Sequence, residues 1–289
     1  MEGLIIRGVG GFYYVRTETG VIQTRGRGIF RKDQITPTVG DHVDIEILDD
    51  GDGVINSILP RKNLFLRPPI ANIDCIIVLF AATQPRPNFE LIDRFLIMAE
   101  KNEVDAILCM NKCDLVSEKK QDKLIERYRG VYPVLKVSGS SGEGVDILEQ
   151  RLAGRISAFA GPSGVGKSTL TNLLIPDADM ETQDISRKTR RGRHTTRHVE
   201  IFDLPHGGML FDTPGFTSFD LQGIRAEELA DYYPEIRDLT GMCRFDDCRH
   251  IKEPDCAVRQ ALEEGKINPL RYESYVKNYT ELKQAQKRY

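Results

Sequence analysis

Residues 161–168, GPSGVGKS, fit the pattern G-x-x-x-x-G-K-[ST] of a loop that binds nucleotide phosphates. In such a loop, backbone N–H groups approach the phosphates, and the helix that follows adds positive potential. We expect Lys167 to reach the β- and γ-phosphates, as a candidate catalytic residue, and the Ser168 hydroxyl to ligate Mg²⁺. The pattern predicts a nucleoside triphosphate site but does not identify the base. The expected nucleotide contacts in this loop are Gly161, Pro162, Ser163, Gly164, Val165, Gly166, Lys167, Ser168 and Thr169.

Residues 111–114, NKCD, can identify the base. The Asp114 carboxylate can accept hydrogen bonds from the N1–H and the 2-amino group of guanine. Adenine has neither donor and would leave a buried carboxylate unpaired, and this penalty gives the selectivity. Asn111 can bond to the N7 edge of the purine, and the Lys112 stem can pack along the ring. The motif therefore predicts guanine, with Asn111, Lys112, Cys113 and Asp114 as the expected contacts.

Two further segments supply groups that a GTP site requires. In KVSGSSGEG, residues 136–144, the backbone N–H groups of Ser138 and Gly139 can donate to guanine O6. In the sequence DTPG, Asp212 can hold Mg²⁺ through water, and the Gly215 N–H can contact the γ-phosphate. DTPG alone is also a common turn, and it gains significance from its position downstream of the phosphate loop.

The segment RGRHTTRHVE, residues 191–200, lies between the phosphate loop and DTPG. Thr195 or Thr196 can complete the Mg²⁺ shell, so both are candidate catalytic residues. Residues 187–197 carry six basic side chains and no acidic one, which is typical of a disordered run or a polyanion contact. The alternative is a solvated basic loop, and both interpretations can hold in different nucleotide states.

A cluster of cysteines has the spacing of a metal site, C-x4-C-x-H-x5-C over residues 243–256. Three thiolates and one imidazole make a closed tetrahedral set for Zn²⁺, with no open position for catalysis. Such an ion would stabilise a segment too small to bury a core of its own. The alternative is a group of unlinked cysteines near a solvated histidine. The expected ligands are Cys243, Cys248, His250 and Cys256, whereas Cys75, Cys109 and Cys113 are expected to be buried thiols.

The elements that must position these residues fall into three predicted domains. Residues 1–63 contain about five short β-like runs separated by turn signals, which is typical of a small barrel. An oligonucleotide-binding (OB) fold is the first candidate for it, and an SH3-like barrel is the alternative. Residues 64–221 alternate apolar strands with helical stretches, which indicates an α/β domain with a mainly parallel sheet. Residues 222–289 are helical and charged and contain the cysteine cluster.

The order of the motifs along the chain indicates a circular permutation. In guanine-nucleotide proteins the base-reading motif normally follows the phosphate loop, whereas NKCD precedes it here. Numbered in their usual order, the five elements run four, five, one, two, three. Permutation costs little because domain termini often lie close together on the surface. The predicted helix at 144–154 would join the former C-terminus to the first strand.

This combination resembles the circularly permuted GTPases, and among them the RsgA family, also called YjeQ or YloQ. The resemblance covers essentially the whole chain: barrel, permuted GTPase domain and metal cluster. It implies a GTPase that uses GTP, GDP and Mg²⁺ and carries one structural Zn²⁺. It further implies a factor in the late maturation of the small (30S) ribosomal subunit. Such a factor would bind that subunit and its rRNA, and would be slow alone and stimulated by the subunit.

The resemblance also suggests a catalytic residue. In Ras-like proteins a glutamine after the DxxG motif orients the attacking water. Phe216 stands at that position and cannot do so. Residues 192–196 resemble the G-x-H-T-T segment of the family, which makes His194 the candidate. The alternative is a solvated histidine in a basic loop.

Composition limits the class of protein. The chain has 289 residues, 40% hydrophobic and 29% charged, with a net charge of −3, which is an ordinary soluble balance. Its longest apolar run, at 75–82, falls far short of the roughly 20 residues that a membrane-spanning helix needs. The N-terminal segment lacks the features of a signal peptide. We expect a cytoplasmic monomer without membrane contact.

Two other functions remain open at this level. One is a P-loop enzyme of another class, such as a kinase or a non-ribosomal NTPase, and NKCD argues against it. The other is a zinc-stabilised RNA-binding protein whose nucleotide site only binds. Basic residues in the barrel and in the C-terminal tail would suit a polyanionic partner. They are Arg25, Arg27, Arg31 and Lys32 in the barrel, and Arg271, Lys277, Lys283, Lys287 and Arg288 in the tail.

Overall fold

The computed structural model describes residues 1–28, 30, 35–49, 51–175, 199–216, 221 and 223–287. These residues form a barrel, an α/β domain and a helical C-terminal region, which confirms the predicted fold class. Within these ranges, no helix combines the length and apolar character needed to cross a membrane.

The N-terminal barrel is built from β1 (Glu2–Val9), β2 (Phe12–Thr17), β3 (Gly20–Gly26), β4 (His42–Ile47) and β5 (Gly53–Ile58). β1 pairs with both β2 and β4, and β3 pairs with β5, so the sheet closes on itself. Inward-pointing Val15, Val43 and Ile55 are fully buried, as the alternation of a strand dictates. The order β1-β2-β3-β5-β4 confirms the predicted OB-fold barrel.

The linker after the barrel contains a short hairpin of β6 (Leu64–Leu66) and β7 (Pro69–Ala71). Arg61 binds the fully buried Asp41 carboxylate of the barrel through Nε at 2.7 Å and Nη2 at 2.8 Å. Asn72 Nδ2 donates to a barrel carbonyl at 2.8 Å. These bonds fix the linker against the barrel, because a buried polar group loses stability when its partner is removed.

The central sheet contains β8 (Cys75–Ala81), β9 (Asp105–Asn111), β10 (Val134–Lys136), β11 (Ile156–Ala160), β12 (Glu200–Asp203) and β13 (Met209–Phe216). Its order is β10-β9-β8-β11-β13-β12, with β12 antiparallel to β13 and the other pairs parallel. β8 is buried along its whole length, as expected for a parallel strand covered on both faces. β12 also pairs with β1, so the sheet continues into the barrel.

The strand order shows the permutation directly. β11, which leads into the phosphate loop, lies between β8 and β13, although β8, β9 and β10 all precede it in sequence. The carboxyl ends of parallel strands meet at one edge of a sheet, where ligands bind. The loops after these strands therefore converge there. The α-helices described in this domain are α1 (Phe89–Lys101), α2 (Glu118–Ile125), α3 (Val145–Leu152) and α4 (Lys167–Leu174).

The C-terminal region packs against α1. Ile97 of α1 belongs to the same buried apolar cluster as Leu229 and Tyr275 of the C-terminal region. Its described helices are a 3-10 helix (Ala226–Tyr232), α5 (Pro234–Arg237), α6 (Ala257–Glu263) and α7 (Pro269–Gln286).

One residue of the basic tail, Arg271, does not contribute to the polyanion surface expected from the sequence. Arg271 is 1% exposed and donates to Asp93 of α1 at 2.6 Å and to Glu235 at 2.7 Å. Lys277 and Lys283 also form ion pairs with glutamates. The expectation that Arg271 contacts a polyanion is therefore wrong, because its guanidinium is needed to neutralise two carboxylates inside the protein.

The basic patch of the barrel is partly engaged as well. The Arg25 guanidinium lies 4.3 Å from the centre of the Phe12 ring. Arg27 donates to Glu46 at 2.8 Å on the surface. The other patch residues Arg31 and Lys32, and the tail residue Arg288, lie outside the described residues.

Candidate nucleotide site and metal centre

The phosphate loop connects β11 to α4 and depends on its glycines. Gly161 and Gly166 have φ angles of 152° and 105°, which disfavour residues with a side chain. A Cβ atom on Gly161 would lie 2.2 Å from the Leu79 carbonyl oxygen, and one on Gly166 would lie 2.2 Å from Asn111 Nδ2. The loop can therefore pack against β8 and the NKCD segment only because these positions lack side chains.

The Lys167 ammonium lies within the curve of this loop. Its Nζ donates to the carbonyl oxygens of Gly161 at 2.7 Å and Pro162 at 2.9 Å. Burial lowers the pKa of Lys167 to about 8. Phosphate oxygens would supply the negative charge that this buried ammonium lacks, so they would favour its protonated form. Ser168 and Thr169 follow in the first turn of α4.

Asn111 joins three loops at the edge of the sheet and is 2% exposed. Its Nδ2 donates to the Val165 carbonyl of the phosphate loop at 2.8 Å. Its Oδ1 accepts from the N–H groups of Lys112 at 2.7 Å and Gly139 at 2.9 Å. The predicted contact with purine N7 would use the other hydrogen of Nδ2. Asn111 is thus the point at which the segments expected to read the base meet the phosphate loop.

Lys112 bridges the phosphate loop and the loop after β8. Its Nζ donates to Gln84 O at 2.6 Å and to Gly164 O at 2.9 Å. Its own backbone is left-handed, with a φ of 63°. Gln84 was not among the residues predicted for the site. The available signal was its position directly after a buried parallel strand, where loops approach the same edge.

The carboxylate expected to read the base is held by a serine. Asp114 Oδ2 accepts from Ser140 Oγ at 3.1 Å, and Ser140 was not among the predicted site residues. The hydroxyls of Ser138 and Ser140 lower the pKa of Asp114, so it is ionised at neutral pH. Cys113 points away into the core, where its thiol donates to Met110 O at 3.0 Å. Any contact of Cys113 with a nucleotide would therefore involve its backbone.

Asp212 and Gly215 both lie in β13, beside the phosphate-loop strand. The pairing of β11 with β13 is irregular in the stretch that contains them. Burial, and then the Glu200 carboxylate on the neighbouring strand, raise the pKa of Asp212 to about 6. A cation next to Asp212 would favour its ionised form. The Asp212 carboxylate on β13 and the Ser168 hydroxyl in the helix after the adjacent strand β11 fit Mg²⁺, which prefers oxygen ligands.

The remaining predicted residues of the nucleotide site cannot be placed. His194, Thr195 and Thr196 lie outside the described residues, together with the whole basic run at 187–197.

The four predicted metal ligands form one cluster. The ligand atoms of Cys243, Cys248, His250 and Cys256 all lie within 4.8 Å of one another. His250 Nδ1 is 3.5 Å from the sulfurs of Cys243 and Cys256, which are 3.9 Å apart. Burial raises the pKa of Cys248 to about 12, so its thiol would ionise only with a cation beside it. The cluster therefore fits a structural metal ion.

Helix α7 supports the loop that carries these ligands. Tyr272 Oη donates to the His250 carbonyl at 2.6 Å, and Tyr275 Oη donates to the Arg249 carbonyl at 2.9 Å. His250 itself has a left-handed backbone, with a φ of 60°. Its Nε2 is buried without a hydrogen-bond partner among the described residues. The imidazole is thus oriented with Nδ1 toward the three sulfurs.

Two known family models together match most of the chain. Residues 2–55 match the family model of the RsgA N-terminal domain. Residues 58–222 match the model of the RsgA GTPase, which is more than half of the chain.

Curated relatives and solved structures agree with these matches. The small ribosomal subunit biogenesis GTPase RsgA of Caldanaerobacter subterraneus subsp. tengcongensis is 45% identical, covering 100% of this chain and 98% of its own length. The RsgA of Carboxydothermus hydrogenoformans is 47% identical over 96% of both chains. The crystal structure of YjeQ from Thermotoga maritima has a TM-score of 0.85 at 37% identity, covering 97% of this chain and 98% of that one. YloQ, described as a circularly permuted GTPase, has a TM-score of 0.83 at 39% identity, covering 98% and 95%. With its phosphate loop and its NKCD segment in permuted order and joined at Asn111, the chain belongs to the RsgA GTPase family.

Proposed function

We propose that this protein hydrolyses GTP to GDP and phosphate during late maturation of the small ribosomal subunit. The observation that supports the proposal is the meeting of three loops at Asn111, where the segment expected to read guanine lies beside the phosphate loop. Relatives that share 45% of its residues over the whole chain are named small ribosomal subunit biogenesis GTPases. Hydrolysis would be slow for the protein alone and faster on the small subunit. We take its domains to be 1–63, 64–221 and 222–289.

The residues of the site divide the work of phosphoryl transfer. Phosphate transfer to water needs positioning and charge stabilisation more than covalent chemistry. Lys167 would move from the loop carbonyls to the β- and γ-phosphates. Ser168, Asp212 and either Thr195 or Thr196 would hold Mg²⁺, which neutralises charge on the phosphate oxygens. The Gly215 N–H would contact the γ-phosphate, and His194 would position the attacking water in place of the missing glutamine.

For the cysteine cluster, we propose Zn²⁺ as the ion. A tetrahedral zinc with Zn–S of about 2.3 Å and Zn–N of about 2.0 Å holds its ligand atoms about 3.5–3.8 Å apart. The separations of 3.5 Å and 3.9 Å between Cys243, His250 and Cys256 are close to these values. Four protein ligands leave no open position, so the ion would stabilise the C-terminal domain and take no part in hydrolysis.

This protein would be a cytoplasmic monomer that binds the small ribosomal subunit and its rRNA. Support comes from the printed names of the relatives and from the OB-type barrel, a fold that binds oligonucleotides. The basic run at 187–197 is the densest positive segment in the sequence that remains for such a contact.

The test is GTP hydrolysis by the purified protein, alone and with small ribosomal subunits, with ATP and large subunits as controls. We expect stimulation with GTP and small subunits only. Equal stimulation by large subunits, or equal use of ATP, would contradict the proposal. A protein that binds GDP and small subunits without any turnover would instead be an RNA-binding protein with a passive nucleotide site.

Two variants locate the chemistry. Lys167→Ala should abolish turnover, because the transferring phosphate loses its cation. His194→Ala should lower the stimulated rate while leaving GDP binding unchanged. An unchanged rate in His194→Ala would exclude histidine as the group that positions the water.

A further inference from the structure

Three consecutive hydrogen bonds in the loop after β10 lead to Asp114. The Ser141 N–H donates to Ser138 Oγ at 3.2 Å. Ser138 Oγ lies 3.0 Å from Ser140 Oγ. Ser140 Oγ then donates to Asp114 Oδ2 at 3.1 Å. The loop therefore connects its own backbone to the carboxylate that is expected to read the base.

The chemistry of the acceptor determines the direction of the last bond. An ionised carboxylate only accepts hydrogen bonds, so the hydroxyl hydrogen of Ser140 must point to Asp114. The one hydroxyl hydrogen of Ser138 is shared between Ser140 Oγ and Asp114, whose pKa both hydroxyls lower. Ser140 Oγ is the hydroxyl that lies 3.1 Å from Asp114 Oδ2.

The first hydroxyl in this series of bonds, that of Ser138, is held firmly. Ser138 is fully buried. Its N–H donates to Glu143 O at 2.9 Å, and its carbonyl accepts from the Gly142 N–H at 2.8 Å. Because the loop is closed on itself around Ser138, the position of the Ser140 hydroxyl follows from the backbone of the loop.

We propose that Ser140 is a specificity-determining residue of the guanine site, because its hydroxyl holds Asp114 in the orientation that receives both guanine donors. This inference rests on the proposed binding of guanine nucleotides. With one lone pair of Oδ2 bonded to Ser140, Oδ1 and the other lone pair of Oδ2 remain for N1–H and the 2-amino group. Ser140 and Asp114 are both exposed. A bound base that covers them excludes water, and the hydrogen bond between Ser140 and Asp114 then becomes stronger.

The prediction concerns the preference for guanine over hypoxanthine. IDP lacks the 2-amino group, so it makes one of the two bonds to Asp114 that GDP makes. In Ser140→Ala the carboxylate can rotate, and the bidentate contact suffers more than the single one. We expect the affinity for GDP to fall by about tenfold and the GDP-to-IDP preference by about three- to fivefold, the scale of one hydrogen bond to a charged group.

The experiment measures GDP, IDP and ADP binding to the full chain by titration calorimetry. Ser140→Thr keeps the hydroxyl and should restore the preference for GDP over IDP. Ser117→Ala is the matched control, because it removes an exposed serine hydroxyl that makes no capping bond at the start of α2 and lies outside the loop after β10. It should bind both nucleotides as the unsubstituted protein does.

Two results would overturn the role of Ser140. One is a Ser140→Ala protein whose affinities are unchanged. The other is a loss of GDP and IDP affinity by the same factor, which indicates damage to the loop and no selective role. Equal binding of ADP and GDP by the unsubstituted protein would instead refute the proposed function. Failure of the proposed function would be seen with the unsubstituted protein, whereas failure of the role of Ser140 would be seen only with Ser140→Ala. The two failures are therefore distinguishable.

Discussion

Arg271 of α7 and Asp93 of α1 form an ion pair in which Nη1 lies 2.6 Å from Oδ1 and both side chains are 1% exposed. The same guanidinium binds Glu235, and the Tyr128 hydroxyl donates to the same Asp93 oxygen. The C-terminal domain is therefore attached to the GTPase domain through a buried charge cluster. An interface of this kind tolerates the removal of a single member poorly, because it leaves uncompensated charge.

Replacing the central arginine should loosen the C-terminal domain. Arg271→Ala leaves the buried carboxylates of Asp93 and Glu235 unpaired, a loss of about 3–5 kcal/mol in the free energy of unfolding. Lys277→Ala is the control on the same helix, because its exposed ion pair contributes less than about 1 kcal/mol. Urea unfolding followed by tyrosine fluorescence measures both. Equal losses in the two variants would contradict the special role of the buried pair.

Removing a cysteine ligand should release the metal and unfold its surroundings. Cys256→Ala should contain no bound zinc by elemental analysis and should expose the loop at 243–256 to proteolysis. Cys75→Ala, a buried cysteine outside the cluster, should retain one zinc per chain. A Cys256→Ala protein with a full complement of zinc would refute the ligand assignment.

Without nucleotide and Mg²⁺, stability should depend on pH through Asp212. The pKa of Asp212 is about 6 in the folded protein against an ordinary 3.8, so the folded state binds the proton more tightly than the unfolded chain. Its stabilising effect is complete below pH 3.8 and is lost as the pH rises through about 6. The free energy of unfolding of Asp212→Asn should therefore rise relative to that of the unsubstituted protein as the pH increases from about 4 to about 6. Above about pH 6 the difference should stay constant. A difference in unfolding free energy that stays constant across this range would show that Asp212 titrates normally.

The nucleotide bound in the GTPase domain should change the amide hydrogen exchange of the C-terminal domain. β13 carries Asp212 and Gly215, and the chain is held again where Lys101 Nζ of α1 donates to Gly223 O at 2.7 Å. Switch segments of GTPases respond to the γ-phosphate, and here such a response would act on this attachment. Amide hydrogen exchange over 223–287 should differ between GDP and a non-hydrolysable GTP analogue. The barrel strands serve as the internal reference, and identical exchange over 223–287 would contradict the coupling.

Motifs that act through neighbouring residues were predictable from sequence. The phosphate loop, NKCD and the cysteine spacing each lie within a short segment whose backbone brings the groups together. The order of these motifs indicated the permutation, and alternating runs with turn signals indicated the barrel. In the phosphate loop, NKCD and the cysteine cluster, the spacing of the residues along the chain is itself what the binding chemistry requires.

Contacts between distant segments were decided only by the tertiary structure. Asn111 bonds to Val165 and Lys112 to Gln84 because parallel strands bring their following loops to one edge, and spacing does not specify which loops touch. Ser140 reaches Asp114 across the same edge. Arg271 looked like one more basic residue of a charged tail, yet packing against α1 buries it. A charge pattern does not show whether the neutralising partner is another molecule or a carboxylate far away in the same chain.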